Sequence, residues 1–162
     1  MPPPRTVPVE LYRATSGFLG AFAGACSEAR GFVLYYLAGD SGQVKGETVT
    51  VIRSLGARQL ADTVRELLER AGKFEHVDAE TLEDFCSLIA RRNVVVQWLI
   101  GSAVQGEPVE SSVAAVSSGR TLTGPAWDLL DSDELQQDIR NAEKVRDAFT
   151  RLRRHCSPPG AI

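Results

Sequence analysis

Histidine is nearly absent from this chain: only His76 and His155 occur in 162 residues. Two histidines so far apart in the sequence give no ligand-pair spacing, which argues against a metal centre. It also leaves little that can exchange a proton near neutral pH. Cysteine is scarce too. Cys26, Cys86 and Cys156 are odd in number, far apart and form no CxxC pair, so neither a disulfide framework nor a zinc cluster is encoded, and buried, reduced thiols are expected. An excess of positive charge is likewise missing. A formal net charge of −3 and an isoelectric point near 5.4 argue against general electrostatic attraction to nucleic acid, so any such contact has to be local.

Long apolar runs are lacking as well. The most apolar stretch, Gly17 to Cys26, is too short to span a bilayer and is soon followed by Glu28 and Arg30. Met1-Pro2-Pro3-Pro4-Arg5 has no apolar core of the kind a signal peptide needs, and its prolines would break one. A cytoplasmic protein is the expectation. No glycine loop of the P-loop or dinucleotide-binding type occurs, and no cofactor is expected.

What remains is an ordinary globular composition, 43% hydrophobic and 24% charged, in a chain long enough to bury one good core. Residues 1–8 are proline-rich and read as extended or disordered, residues 9–154 as a single domain, and 155–162 as a disordered tail. From Val9 to Ala38 the residues Phe18, Phe22, Ala25, Ala29, Phe32 and Tyr36 recur at helical spacing, while Gly17, Gly20 and Gly24 keep one face slim. Those glycines weaken a helix by roughly 1 kcal/mol each relative to alanine, so a close helix–helix contact is their expected compensation.

Gly39-Asp40-Ser41-Gly42 through Gly46 is a turn-rich connector. Its first four residues echo the tetrapeptide around the nucleophile of trypsin-like proteases, but no histidine precedes Ser41 and the surrounding pattern is helical. A second helix is predicted over Val51 to Ala71, with Thr50 as N-cap, Leu60, Val64, Leu67, Leu68 and Ala71 inward, and Gly72 as its stop. A third runs from Asp78 or Ala79 to about Ile100, with a stripe of Leu82, Phe85, Ile89, Val96 and Leu99. Between Glu107 and Gly124 the helical period is lost, and the valine, serine and threonine there read as a short β-hairpin or irregular loop. Asp131 with Glu134 three residues on begins the last helix as a capping box, which buries Leu135, Ile139, Ala142, Val145, Phe149 and Leu152. Its arginines, Arg151, Arg153 and Arg154, gather at its end, where the helix dipole favours them. The predicted fold is therefore all-α: an antiparallel four-helix bundle with a short β-hairpin or irregular insertion before the last helix.

The third helix carries the polar stretch Arg91-Arg92-Asn93 followed by Gln97-Trp98. Arg92 occupies the one stripe position there that is not apolar. Asn93 and Gln97, four apart, share a face, whereas Arg92 and Gln97, five apart, are rotated by about 140°. One helix does not easily aim Arg92 and Gln97 at the same atom. Trp98 and Trp127 are expected to anchor the core or an interface, and an exposed tryptophan beside the polar motif would favour a protein partner or dimer seam.

These residues resemble the signature of the HEPN-type α-helical domains: an arginine, a polar residue beside it and a histidine four to six residues further on. The resemblance runs from roughly Leu11 to Leu152 and includes an acidic residue on the first helix, Glu28 in Ser27-Glu28-Ala29-Arg30, and Leu82-Glu83-Asp84-Phe85 leading into Arg91-Arg92-Asn93. It is closest to bacterial proteins whose third helix reads arginine-asparagine, three residues, histidine, glycine. Arg92 and Asn93 match that pattern, Gln97 replaces the histidine, and Gly101 falls later than the glycine. The resemblance implies a helical bundle that commonly dimerises, and in ribonuclease members a composite RNA-cleaving site built by two copies, in a toxin–antitoxin or defence-type setting. Arg92, Asn93 and Gln97 are then the candidate catalytic residues, and Arg91, Trp98 and Glu28 the candidate partner or dimer surface.

The substitution at 97 decides between readings. A glutamine carboxamide only donates and accepts hydrogen bonds, and general acid–base catalysis typically contributes about 10²–10⁴-fold. A non-catalytic module engaging a second copy or a protein partner is the expected function, with a metal-independent endoribonuclease acting on RNA as the alternative. A purely structural reading also exists, in which Arg92 pairs with Glu28 or another acid inside the bundle. In that case Arg92→Ala strands a buried charge at a cost of about 3–5 kcal/mol.

Overall fold

The computed structural model describes residues 9–72, 76–103 and 130–155. Among these every regular element is a helix. The chain forms α1 (Val9–Ala38), α2 (Gly46–Ser54), α3 (Ala57–Arg70), α4 (His76–Ala103) and α5 (Ser132–His155), with a 3₁₀ turn over Gly39–Ser41. The all-α expectation stands. No strand occurs among the described residues, and the expected hairpin over 107–124, with Trp127, lies outside them, as do 1–8 and 156–162.

The first helix is the spine of the molecule. Ala14, Phe18, Phe22, Ala25, Ala29 and Phe32, spaced at threes and fours, are all buried, so one stripe of α1 faces the core along its length. Thr15 is the polar exception on that face, and its hydroxyl donates to the Leu11 carbonyl at 2.7 Å. The slim face meets α5, against which α1 packs most extensively. A Cβ added to Gly17 would lie 3.1 Å from Ile139 Cδ1, and one on Gly24 would lie 3.6 Å from Arg146 Cδ. Gly20 differs from expectation, because a Cβ there would meet nothing within 4 Å.

The predicted second helix is two helices. Leu55 and Gly56 adopt extended backbone (ψ 130° and 158°) between α2 and α3. Thr50 is accordingly no N-cap; it sits inside α2, where its hydroxyl donates to the Gly46 carbonyl at 3.0 Å. The stop is as expected: Gly72, at φ +62°, occupies the left-handed conformation that ends a helix. Leu60, Ala61, Val64, Leu67 and Leu68 bury one face of α3.

Along α4 the buried residues are Leu82, Phe85, Leu88, Val95 and Trp98, a stripe rotated from the predicted one, with Ile89, Val96 and Leu99 only partly covered. Phe85 lies at the centre. Its ring meets Phe149 of α5 edge-on at 5.3 Å and Phe22 of α1 at 6.0 Å, tying three helices together with contacts worth about 0.5–1.5 kcal/mol each beyond burial. Half of the predicted capping box is present at α5. Asp131 Oδ1 accepts from the backbone N–H groups of Asp133 and Glu134 at 2.6 and 3.2 Å, while the Glu134 carboxylate turns instead to Arg91.

Candidate functional site: an arginine-lined cleft

The break between α2 and α3 opens a cleft of about 720 Å³ bounded by α1, the first turn of α3 and the middle of α4. Its apolar lining comes from Leu19, Phe22, Ile89 and Val96, and three arginines enter it from three helices: Arg30 of α1, Arg58 of α3 and Arg92 of α4. Gln59 and Asn93 add carboxamides. Among the described residues no carboxylate lines it, and none of the three arginines has an ion-pair partner.

Local chain geometry explains this concentration of donors. The extended backbone at Leu55 leaves its carbonyl to accept from Arg30 Nη2 at 3.0 Å, which fixes that guanidinium against the break. Arg30 Nε is buried yet has no hydrogen-bond partner, a cost of about 1–3 kcal/mol unless something accepts from it. Beside it α3 begins with no acid in its first turn and no capping side chain. Gly56 carries none to offer, and Gln59 only folds back to accept from the Gly56 N–H at 3.1 Å. The positive end of the helix dipole is thus left uncompensated at the rim.

Arg92 stands four residues after Leu88 and three before Val95, both buried, so helical spacing puts it on their face. It is exposed all the same, because the cleft replaces the core at that point. Its Nη1 donates to the neighbouring Asn93 Oδ1 at 3.2 Å. Cys26 lies in the same cleft. Burial pushes its thiol up, and Arg30 and then Arg92 pull it part of the way back down, which places both guanidinia within Coulombic reach of one sulfur. The net shift is upward, so the thiol stays protonated at neutral pH and is a poor nucleophile.

The residues expected to form a partner or dimer surface are used inside the helical assembly instead. Arg91 faces α5: its Nε donates to Asp138 Oδ2 and its Nη2 to Glu134 Oε2, both at 2.7 Å. Those carboxylates raise its pKa against the opposing effect of desolvation. Trp98 is 1% exposed and packs on Tyr12 of α1 at 5.5 Å between ring centroids. Glu28 turns toward α5, with Oε2 3.3 Å from Arg153 Nη2. The charges attract at that distance, but the buried oxygen receives no well-aligned hydrogen bond. The structural pairing of Arg92 with Glu28 is therefore not made; Arg91 and Arg153 take the acids.

Of the candidate catalytic residues, Arg92 and Asn93 share the cleft, while Gln97, half-buried, is not among its lining residues. The rotation between positions 92 and 97 accounts for this. Ser41 is a turn residue, its hydroxyl donating to the carbonyls of Ala38 and Gln43 at 2.7 and 3.1 Å. His155 is exposed at the end of α5. Among the described residues no three histidines, cysteines or carboxylates lie close enough to hold a metal ion, and no described helix is long and apolar enough to cross a membrane.

Sequence reasoning missed Arg30 and Arg58. A signal for the second was present: Gly56-Ala57-Arg58 reads as a helix start with a cation in its first turn, where an acid is the favoured residue. Comparison with protein-family models, with curated proteins and with solved structures returns no match for this chain.

Proposed function

We propose that this protein is a non-catalytic, HEPN-like helical bundle that binds a protein partner through the cleft between α1, α3 and α4, with Arg92 and Asn93 organising the contact. The single observation that carries this reading is the arrangement of Arg30, Arg58 and Arg92 around an open apolar cleft whose described lining residues include no carboxylate. Guanidinium is the group best suited to bidentate capture of an acid. In a molecule of net charge −3, three cations in one depression with no ion-pair partner among the described residues are a local inversion of sign, which selects a partner by charge complementarity. Mixed apolar and arginine character is also what concentrates binding energy at interface centres.

The cleft's chemistry supports binding over RNA cleavage. Its lining residues include no histidine, and the cysteine among them, Cys26, is held protonated, so a phosphodiester there would meet positive charge but no general base. Affinity purification comparing the wild type with Arg92→Glu tests the reading. One acidic protein should be captured by the wild type, lost with Arg92→Glu while the melting temperature is unchanged, and bind again as a purified component. Sedimentation then tells whether that partner is a second copy. Hydrolysis of single-stranded RNA that disappears in Arg92→Ala would overturn the proposal in favour of the ribonuclease alternative.

A further inference from the structure

We infer that the cleft reads a specific chemical element: a peptide segment in which a bulky apolar side chain is flanked by acidic side chains. This inference rests on the proposed protein-binding role of the same cleft and names what is recognised there. The acidic requirement follows from the donor set. Arg30, Arg58 and Arg92 come from three separate helices, so their positive charge is fixed by the fold rather than gathered by one mobile segment. Three guanidinia with no counter-ion among the described residues exceed what one carboxylate neutralises, which favours two acids in the ligand. The uncapped start of α3 adds backbone N–H donors on the same side.

The apolar requirement follows from the lining. Phe22 and Ile89 belong to the cleft as well as to the edge of the core, and a carboxylate laid against them would be desolvated with no hydrogen-bond donor to compensate. A phenyl ring or branched aliphatic chain covers that surface, while carboxylates on either side of it reach the arginines. The volume of about 720 Å³ is in the range of sites that enclose a ligand of a few side chains, roughly 300–1,000 Å³. Arg30 provides an internal reporter. Its Nη2 is already held by the Leu55 carbonyl at 3.0 Å, so its Nε–H signal belongs to a fixed guanidinium and reports on a carboxylate that arrives in the cleft.

The experiment uses the full chain, labelled with ¹⁵N, and follows arginine Nε–H signals by NMR during titration with acetyl-Glu-Phe-Glu-amide. Parallel titrations use acetyl-Gln-Phe-Gln-amide, acetyl-Glu-Ala-Glu-amide, N-acetylphenylalanine and a short single-stranded RNA. The inference expects saturable shifts of the Arg30, Arg58 and Arg92 signals with the first peptide. It expects affinity weaker by about tenfold or more when either the charges or the ring are removed, since each change deletes an interaction worth more than about 1.4 kcal/mol. N-acetylphenylalanine, which carries a single terminal carboxylate, should bind more weakly than the diacidic peptide. Arg58→Glu, on an exposed first turn, should abolish the shifts at unchanged melting temperature.

Equal binding of the neutral peptide or of the alanine peptide overturns the inference, as does tighter binding of the RNA at the same arginines. Should all peptides fail while the captured partner still depends on Arg92, the recognised element is wrong and the partner-binding role survives. Should partner capture ignore Arg92→Glu, that role falls on its own evidence.

Discussion

Two neighbouring guanidinia on α4 meet different fates because a rotation of about 100° separates them. Arg91 bridges to α5 through Asp138 and Glu134, and its side chain is 23% exposed. Arg92 opens into the cleft, and among the described residues its hydrogen-bond partner is the neighbouring Asn93. Their alanine variants should therefore separate cleanly. Arg91→Ala leaves the half-buried Asp138 carboxylate without its cation, at an expected cost of about 1–3 kcal/mol, whereas Arg92→Ala should stay within about 0.5 kcal/mol of the wild type. Chemical denaturation of both variants measures the difference, and a large loss for Arg92→Ala would restore a structural role for it. Cys26 gives a pH prediction at the same scale. Burial raises its thiol pKa in the fold, so the protonated form is the one the native state favours. Its stabilising contribution is complete below the pKa the thiol has in the unfolded chain and is lost as pH rises through the higher native value. The window is alkaline, above the ordinary thiol range. Removing the guanidinium of Arg92 by Arg92→Ala should slow alkylation of Cys26 further, because the cation was drawing the thiol down.

At the scale of elements, the helices whose signal is periodicity were legible and the interruptions were not. The ends of α1, the cap of α5 at Asp131 and the stop at Gly72 each have a local cause that one stretch of sequence contains. The break at Leu55-Gly56 does not, since the apolar pattern runs through it and the extended backbone is held partly by Arg30, 25 residues earlier in the chain. That is why the cleft itself was invisible from the sequence, in which Arg92 stood out only as a cation on the predicted α4 stripe. The glycines of α1 divide in the same way. Gly17 faces Ile139 and Gly20 faces open space, a distinction that depends on how α5 lies and that spacing on α1 alone does not contain. Two substitutions turn this into a measurement. Gly20→Ala should stabilise by about 0.5–1 kcal/mol through helix propensity. Gly17→Leu should instead destabilise by about 1–3 kcal/mol by overpacking the α1–α5 contact. Equal effects in thermal melts would mean that the two helices do not approach as closely as described.

For the whole molecule, the distribution of charge matters more than its sum. Acidic residues outnumber basic ones, 21 to 18. Several of the cations are committed to ion pairs: Arg91 and Lys144 on α4–α5 contacts, Arg153 with Glu28, Arg70 within α3. Those at the cleft have no ion-pair partner among the described residues, so the attraction for an acidic ligand is local while the remaining surface repels it weakly. Such an interaction has a definite salt signature. Raising ionic strength from about 0.1 M to about 1 M shortens the Debye length from about 10 Å to about 3 Å. Affinity for acetyl-Glu-Phe-Glu-amide should then fall on the order of tenfold, since the contacts are made in an open, solvated cleft. Folding stability should respond far less, because the core is held by apolar packing around Phe18, Phe85, Phe149 and Trp98 and exposed ion pairs contribute only about 0–1 kcal/mol each. Titrations and thermal melts in the same buffers separate the two effects. A parallel collapse of binding and melting temperature would tie the cleft's charge to the fold itself. Affinity indifferent to salt would mean that the arginines do not contact the ligand, leaving only the apolar lining to bind it.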